Sequence, residues 1–382
     1  MKSICAILLI FSSFSLPASD TMRVQADKYQ RGSVKREKDA VEILKRYISI
    51  DNVCAWPNLT TLKDGTQIAT IFNKPSHGRM QGDVDCWAST DGGKFWSKRG
   101  TPAAHEPTTN RMNVAAGLAN NGDLVVVASG WALKPGSKQD GLFDLTEIIA
   151  PWVSRSGDGG KNWKVVKRDA FPKADAGFTG YTPFGDILKA ADGSLRVIAY
   201  NQSKDKAINT VSVFKSTDDG KSWKWFSRIS DGISTAFAGG HNETAFFHSG
   251  DGKWIAAARR WKAGQAMDLF SSEDDGKTWK MTGPLTEANQ HPGHITRLKN
   301  GDLLLTFGNR KAGQNGVAVK ISKDNGRTWG ETKLLFGDLA SGDCGYPASV
   351  QLDDGSLMTV YYANGTQAHS RYHMGTVIWK FK

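Results

Sequence analysis

The chain has 382 residues, 39% hydrophobic and 23% charged, with 49 Lys and Arg against 38 Asp and Glu for a formal charge of +11. This composition excludes a disordered chain and a disulfide-dense miniprotein, and it allows two ordinary domains or one large repeat-built domain. The positive excess is either a solvated basic surface or a match to an acidic partner. With no dense Lys/Arg run and no nucleic-acid motif, that partner reads as an acidic glycan, not nucleic acid.

Residues 1–18 read as a secretory signal: Lys2, an apolar stretch from Ile4 to Leu16, and a cleavage context at Leu16-Pro17-Ala18. The apolar run is short for a membrane span and no second one follows, so the expected location is secreted or periplasmic, with no membrane span. Residues 19–39 are an N-terminal extension. Cleavage leaves Cys54, Cys86 and Cys344. A Cys54–Cys344 pair and free buried thiols both agree with this count, and no Cys/His spacing suggests zinc.

The stretch Ala40–Ile50 (AVEILKRYISI) is strand-like, with a short helix around Lys35–Lys45 as the alternative. Six Asp/Asn-Gly-type turns follow, at Gly65, Gly122, Gly193, Gly252, Gly301 and Gly355, between apolar runs such as LVVVAS, LRVIAY and LLLTF. Such turns between β-type runs are strong hairpin signals. Five related octets complete the pattern: STDGGKFW (Ser89–Trp96), SGDGGKNW (Ser156–Trp163), STDDGKSW (Ser216–Trp223), SEDDGKTW (Ser272–Trp279) and SKDNGRTW (Ser322–Trp329). Each unit reads as strand A, turn, strand B, loop, strand C, the octet as a C–D turn, and strand D.

The sixth unit has no octet and ends on HMGTVIWKFK as its strand C. Its missing strand is expected from Ala40–Ile50, joining the two ends of the chain. The expectation is therefore an all-β fold, a single six-bladed β-propeller of four-stranded antiparallel blades over residues 40–382. Within an octet the Asp bonds amides of its own turn and the Trp packs between strands, which makes the octets structural and not catalytic.

The octets resemble Asp boxes, or BNR repeats, and residues 45–382 resemble the sialidase (neuraminidase) superfamily. The fold places the octets on one face. Starts of strands A and C and ends of strands B lie on the other, where a site would be built. The resemblance implies a glycosidase using a Tyr nucleophile. It assigns Tyr346 (CGYPASVQ) as nucleophile, Glu243 (HNETAFF) as the carboxylate that activates it, and Asp83 (GRMQGDVDC) as acid/base. Each has a structural alternative: Tyr346 as an axial stacking residue, Glu243 as a salt-bridge partner, Asp83 as a loop cap beside the similar Asp85.

Sialidases grip the sugar carboxylate with three Arg. Arg259, closing WIAAAR, carries over to the second. The place of the first reads CAWPNL, with Trp56 and no Arg. The place of the third aligns with Gln314, four residues after Arg310; RWKAGQ and RKAGQ make Arg260 and Arg310 repeat equivalents. Arg79, Arg111 and Arg310 are candidates to rebuild the clamp, so a uronic acid or a neutral deoxy sugar enters beside sialic acid.

His77, His241, His291, His294 and His373 fall near the same face, with His294 the candidate ligand contact. The longest insertion, Gly130–Trp152, carries Trp131, Phe143 and Trp152 as a sugar-stacking rim, a lid, or a packed surface hairpin. The reading is a secreted sialidase-like glycoside hydrolase acting on a terminal acidic sugar, with a glycan substrate and no organic cofactor or catalytic metal. The alternatives are a lyase on uronate-containing polysaccharide and a non-catalytic glycan-binding propeller. Sequence leaves the oligomeric state open.

Overall fold

The computed structural model describes residues 41–136, 141–233, 239–262 and 264–382. The expected signal and extension fall on 1–39, outside the described residues. The described residues are all-β, with 24 strands among them in four-stranded antiparallel groups.

The N-terminal strand is β1 (Val41–Asp51). The first unit holds β2 (Cys54–Thr61), β3 (Gln67–Phe72), β4 (Val84–Ser89) and β5 (Ser97–Ala103). The second holds β6 (Asn113–Leu118), β7 (Leu124–Pro135), β8 (Phe143–Ser156) and β9 (Lys164–Val166). The third holds β10 (Thr182–Lys189), β11 (Leu195–Gln202), β12 (Asn209–Ser216) and β13 (Lys224–Ser230). The fourth holds β14 (His241–Gly250), β15 (Lys253–Arg260), β16 (Met267–Ser272) and β17 (Lys280–Pro284). The fifth holds β18 (Gln290–Arg297), β19 (Leu303–Asn309), β20 (Gly316–Ser322) and β21 (Lys333–Phe336). The sixth holds β22 (Cys344–Gln351), β23 (Leu357–Asn364) and β24 (Tyr372–Phe381). A short parallel pairing of β6 with β10 joins the second and third units into one eight-stranded sheet.

The sixth unit takes its fourth strand from the N-terminus. β1 pairs antiparallel with β24 from Val41↔Phe381 to Asp51↔His373. The ladder claims residues 41–45, so the alternative helix around Lys35–Lys45 does not form over that stretch. Arg46 anchors the strand, donating to Tyr361 Oη at 2.9 Å and lying 3.9 Å over the Phe336 ring.

The core is divided into wedges between neighbouring units. Ala115, Val125 and Val127 of the second pack on Leu195, Val197 and Phe214 of the third. Comparable clusters join third to fourth, fourth to fifth and fifth to sixth. Ile50, Leu59 and Ile71 pack on Met358 and Val360, so the sixth unit also meets the first. All six A–B turn glycines adopt the positive φ that the turn chemistry requires, from Gly252 at 70° to Gly301 at 93°.

Each octet is wired alike. In the fifth, Ser322 Oγ donates to Asp324 Oδ1 at 2.8 Å and accepts the Gly326 N–H at 2.8 Å; Asp324 also accepts the Thr328 N–H at 2.9 Å. Trp329 Nε1 donates to the Gly326 carbonyl at 3.2 Å. Trp223 is the exception, with Nε1 buried and unpartnered. The octet glycines also touch the preceding unit: Gly160 lies by Cys86, Gly276 by Phe226, Gly326 by Ile255, and Gly93 of the first octet by Met358 of the sixth unit. Ser322 is 1% exposed. Ser322→Ala strands the Gly326 amide and is expected to lower stability by about 1–2 kcal/mol, read from the urea midpoint.

Cys54, Cys86 and Cys344 are buried free thiols, which settles the pairing left open above. No helix among the described residues is long and apolar enough to cross a membrane.

Candidate active site

The inner strands β2, β10, β14, β18 and β22 lose regular pairing at or beside their third residue. A bulge re-aims side chains at the end of a ladder. The third residues are Trp56, Phe184, Glu243, Pro292 and Tyr346. Ala55 and Tyr346 hold positive φ of 60° and 49°, unusual for residues with side chains. The irregular ends thus carry the candidate groups.

Tyr346 Oη donates to Glu243 Oε1 at 2.6 Å. Arg259 Nη1 donates to Tyr346 Oη at 3.2 Å and binds Glu243 Oε2, while its Nη2 reaches Gln265 Oε1 at 3.1 Å. Trp56 stacks on the Tyr346 ring with centroids 4.8 Å apart. The Arg310 guanidinium lies 5.4 Å from the centroid of that ring, and its Nε donates to the Cys344 carbonyl at 3.1 Å. Tyr346, Glu243 and Trp56 are all buried, at 4%, 4% and 6% exposure. The segments that meet here lie up to 290 residues apart (346 − 56).

Burial, then the Glu243 charge, pushes the Tyr346 phenol well above its ordinary value. The phenol is neutral at rest. Burial opposes the charge of Arg259, but Glu243 and Tyr346 outweigh it and the pKa is raised. Tyr200 is likewise pushed up by burial and by Glu243.

Unpartnered nitrogens collect beside this cluster. Arg259 Nε, Arg310 Nη2 and both ring nitrogens of His291 are buried without a hydrogen-bond acceptor. Burial, reinforced by Arg259 and Arg310, drives the His291 pKa far down, so it is neutral. Buried polar groups in native proteins normally find partners, so such a convergence suits an anionic ligand group.

The other expected residues are committed elsewhere. Asp83 accepts the His105 N–H at 2.7 Å, faces His105 Nδ1 at 2.6 Å, and accepts from Asn73 Nδ2 at 3.2 Å. Burial opposes its charge, but His105 and Asn73 prevail and hold its pKa below the usual carboxylate range. Asp85 is distinguished from it by full engagement with Lys98, Thr101 and Asn73. Arg79 Nε donates to the Phe143 carbonyl at 3.0 Å. Arg111 stacks 3.5 Å over Trp152 and donates to the Ala150 carbonyl; burial lowers its pKa to about 10. Neither contacts Tyr346 among the described interactions.

The described parts of the insertion Gly130–Trp152 pair as extensions of β7 and β8, with Trp131 opposite Ile148 and partly buried against the cluster of Met112 and Trp152. Its described part docks on the Arg79 backbone through the Phe143 amide. This favours the packed-hairpin reading for Trp131 and Trp152.

His294 sits two residues further along β18 than Pro292. It bonds Asp186 at 3.2 Å and accepts the Ser349 N–H, and Asn58 closes on Asp186 from β2 at 3.0 Å. Together they line a cavity of about 30 Å³ beneath Tyr346, room for a water or two. His241 is fully buried between Ser230 and Asp268, and His373 is buried against the Arg371 carbonyl. Both brace the fold.

Sequence reasoning passed over Asp343, Tyr372, His105 and Gln265. Asp343 Oδ1 meets His77 Nδ1 at 3.1 Å and accepts from Tyr362 Oη at 2.5 Å, while Oδ2 accepts from Tyr372. Burial opposes the charge of Asp343, but His77 and the two phenols overcome it and lower the pKa. His77 packs 5.7 Å from Trp56 and 6.1 Å from Tyr362, which is itself 5.4 Å from Tyr346. The available signal was Asp343 lying three residues before Tyr346.

Residues 185–359 match the BNR repeat-like domain family. A sialidase of Bacteroides fragilis is 26% identical over 221 residues, covering 49% of this chain and 38% of that protein. The chain thus spans well under half of that relative. Among solved structures, a protein of unknown function from Dyadobacter fermentans has a TM-score of 0.73 at 20% identity, covering 90% of this chain and 99% of that one. The sialidase of Trypanosoma rangeli bound to the inhibitor DANA gives 0.63 at 16% identity, over 87% and 55% of the two chains. The NanB sialidase of Streptococcus pneumoniae gives 0.64 at 13%, over 89% and 70%. At these identities the structural likeness is one of fold.

Proposed function

We propose, from the membership of this chain in the sialidase/BNR-repeat superfamily, that it is a glycoside hydrolase built as a six-bladed β-propeller and exported from the cell. The propeller reading rests on six four-stranded units whose wedge cores run from each unit to the next and from the sixth to the first. Residues 40–382 then form one domain, with 1–18 as signal and 19–39 as extension.

The observation that carries the enzymatic reading is the 2.6 Å bond from Tyr346 Oη to Glu243 Oε1, with Arg259 Nη1 donating to Tyr346 Oη and to Glu243 Oε2. A phenol becomes a competent nucleophile when a carboxylate takes its proton during attack. A neutral phenol also avoids repelling an anionic sugar. Tyr346 is therefore the nucleophile and Glu243 its base. Arg259 stabilises the charge that moves between them, and Arg310 and Arg259 offer donors to a sugar carboxylate. The leaving-group proton comes from the first unit's B–C loop, residues 73–83, which carries both Asp83 and His77.

The segment that would carry the first sialidase Arg holds none, and its Trp56 stacks on the Tyr346 ring. Arg259 and Arg310 then grip an acidic sugar from one side, sialic acid or a uronic acid.

The test is a panel of sialylated, uronate-bearing and neutral oligosaccharides incubated with the protein, with product analysis by mass and ultraviolet absorbance. Release of a saturated acidic monosaccharide is expected. An unsaturated, ultraviolet-absorbing product would establish the lyase alternative, and saturable binding without product would establish a binding module.

A further inference from the structure

We propose that His77, oriented by Asp343, is the group that protonates the departing oxygen, in place of Asp83. The inference rests on the hydrolase reading above.

The geometry of the two candidates differs. Both Asp83 oxygens are taken by His105 and Asn73, and no described ring or side-chain contact links Asp83 to Tyr346. His77 is connected to the nucleophile through two rings, Trp56 and Tyr362, each of which packs on both His77 and Tyr346. His77 Nδ1 faces Asp343 at 3.1 Å, while Nε2 has no protein partner among the described residues, and the side chain is 41% exposed. A carboxylate on one imidazole nitrogen fixes the orientation of the ring and leaves the other nitrogen for proton transfer. Asp343 is in turn fixed by the hydroxyls of Tyr362 and Tyr372. The imidazole, the carboxylate that orients it and the two tyrosines that hold that carboxylate converge from the first and sixth units.

The other titratable groups on this side are the Cys54 thiol, which senses Asp343, and Arg310, which senses Tyr362. Arg79 lies two residues along the loop, turned to Phe143.

The steps balance. As Tyr346 Oη bonds to the anomeric carbon and passes its proton to Glu243, the glycosidic C–O bond breaks. His77 Nε2 gives its proton to the leaving oxygen. In the second half, neutral His77 takes a proton from water, whose oxygen displaces Tyr346. Tyr346 then recovers its proton from Glu243.

The test compares His77→Gln, Asp343→Asn and Asp83→Asn with wild type on two probes carrying the sugar that the panel identifies. One probe is an oligosaccharide with an alcohol leaving group, the other a nitrophenyl glycoside whose leaving group needs little acid assistance. His77→Gln is expected to lose about 10²-fold or more in kcat/KM on the oligosaccharide and less than tenfold on the nitrophenyl probe. Its pH profile on the oligosaccharide is expected to differ from that of the wild type, while its profile on the nitrophenyl probe is expected to match. Asp343→Asn is expected to show the same leaving-group split more weakly. A merely structural role would depress both probes alike and leave the pH profile in place. Such uniform loss, no loss, or the leaving-group split appearing in Asp83→Asn instead overturns the inference. If wild type turns over neither probe nor any panel member, the hydrolase reading fails first, and the two failures are distinct.

Discussion

Tyr346→Phe is expected to lower kcat/KM by roughly 10³-fold or more, because it removes the oxygen that would carry the sugar in the intermediate. The loss should be chemical, not structural. Phe keeps the ring that stacks on Trp56 and packs with Phe184 and Tyr362. Glu243 loses one hydrogen bond but stays paired with Arg259. Stability should therefore change by no more than about 1–1.5 kcal/mol. Activity assays and urea unfolding on the same preparation separate the two effects. A variant retaining a tenth or more of wild-type turnover would remove Tyr346 from the reaction.

Asp268→Ala is expected to produce the largest loss of stability, about 3–5 kcal/mol. Asp268 is fully buried and takes Arg260 Nε at 2.8 Å, Arg260 Nη2 at 2.5 Å and His241 Nε2 at 2.9 Å. Removing it takes away the buried carboxylate that Arg260 and His241 share. His241 lies two residues from Glu243 on β14, so the damage should reach the site and lower activity as well. Burial works against the Asp268 charge, but His241 and Arg260 outweigh it and its pKa is lowered. Its contribution is thus fully present above the ordinary carboxylate value of about 4 and lost as pH falls below it. Urea midpoints at neutral and acid pH measure both statements. A loss under 1 kcal/mol would mean that solvent replaces the carboxylate.

The octets and the turns made the architecture legible because their chemistry is local. Ser322, Asp324 and Gly326 satisfy one another within five residues, so their spacing alone announces the turn. The return of the chain start to its end was also legible, since β22 to β24 left a four-stranded unit one strand short. The pairing of Tyr346 with Glu243 was legible through the family resemblance, whereas the contact of Arg259 with both was not part of that expectation.

The neighbourhood was less legible. Asp83 and Asp343 are both acids beside a strand of the site face. What separates them is that His105, from the connection after β5, ties down one, while His77 and two tyrosines support the other. The histidines divide for the same reason. His241 is spent on Ser230 and Asp268, His294 on Asp186 and Ser349, and His373 on the Arg371 carbonyl, while His291 lies beside Arg259 and Arg310 and His77 keeps one nitrogen without a described partner. Spacing does not separate these fates, because all but that of His373 depend on other segments of the chain.

Sequence by itself determined the repeating unit, its turns, and the residue types gathered where inner strands begin, because those rest on interactions within a few residues or on period-two alternation. Tertiary structure alone decided which of those residues share a proton, which are spent on neighbours, and that Trp56 stacks on the Tyr346 ring. Hydrogen bonds and ion pairs reach only about 3 Å, so partners contributed by segments 100 to 290 residues away are set by how the units meet, not by any local pattern.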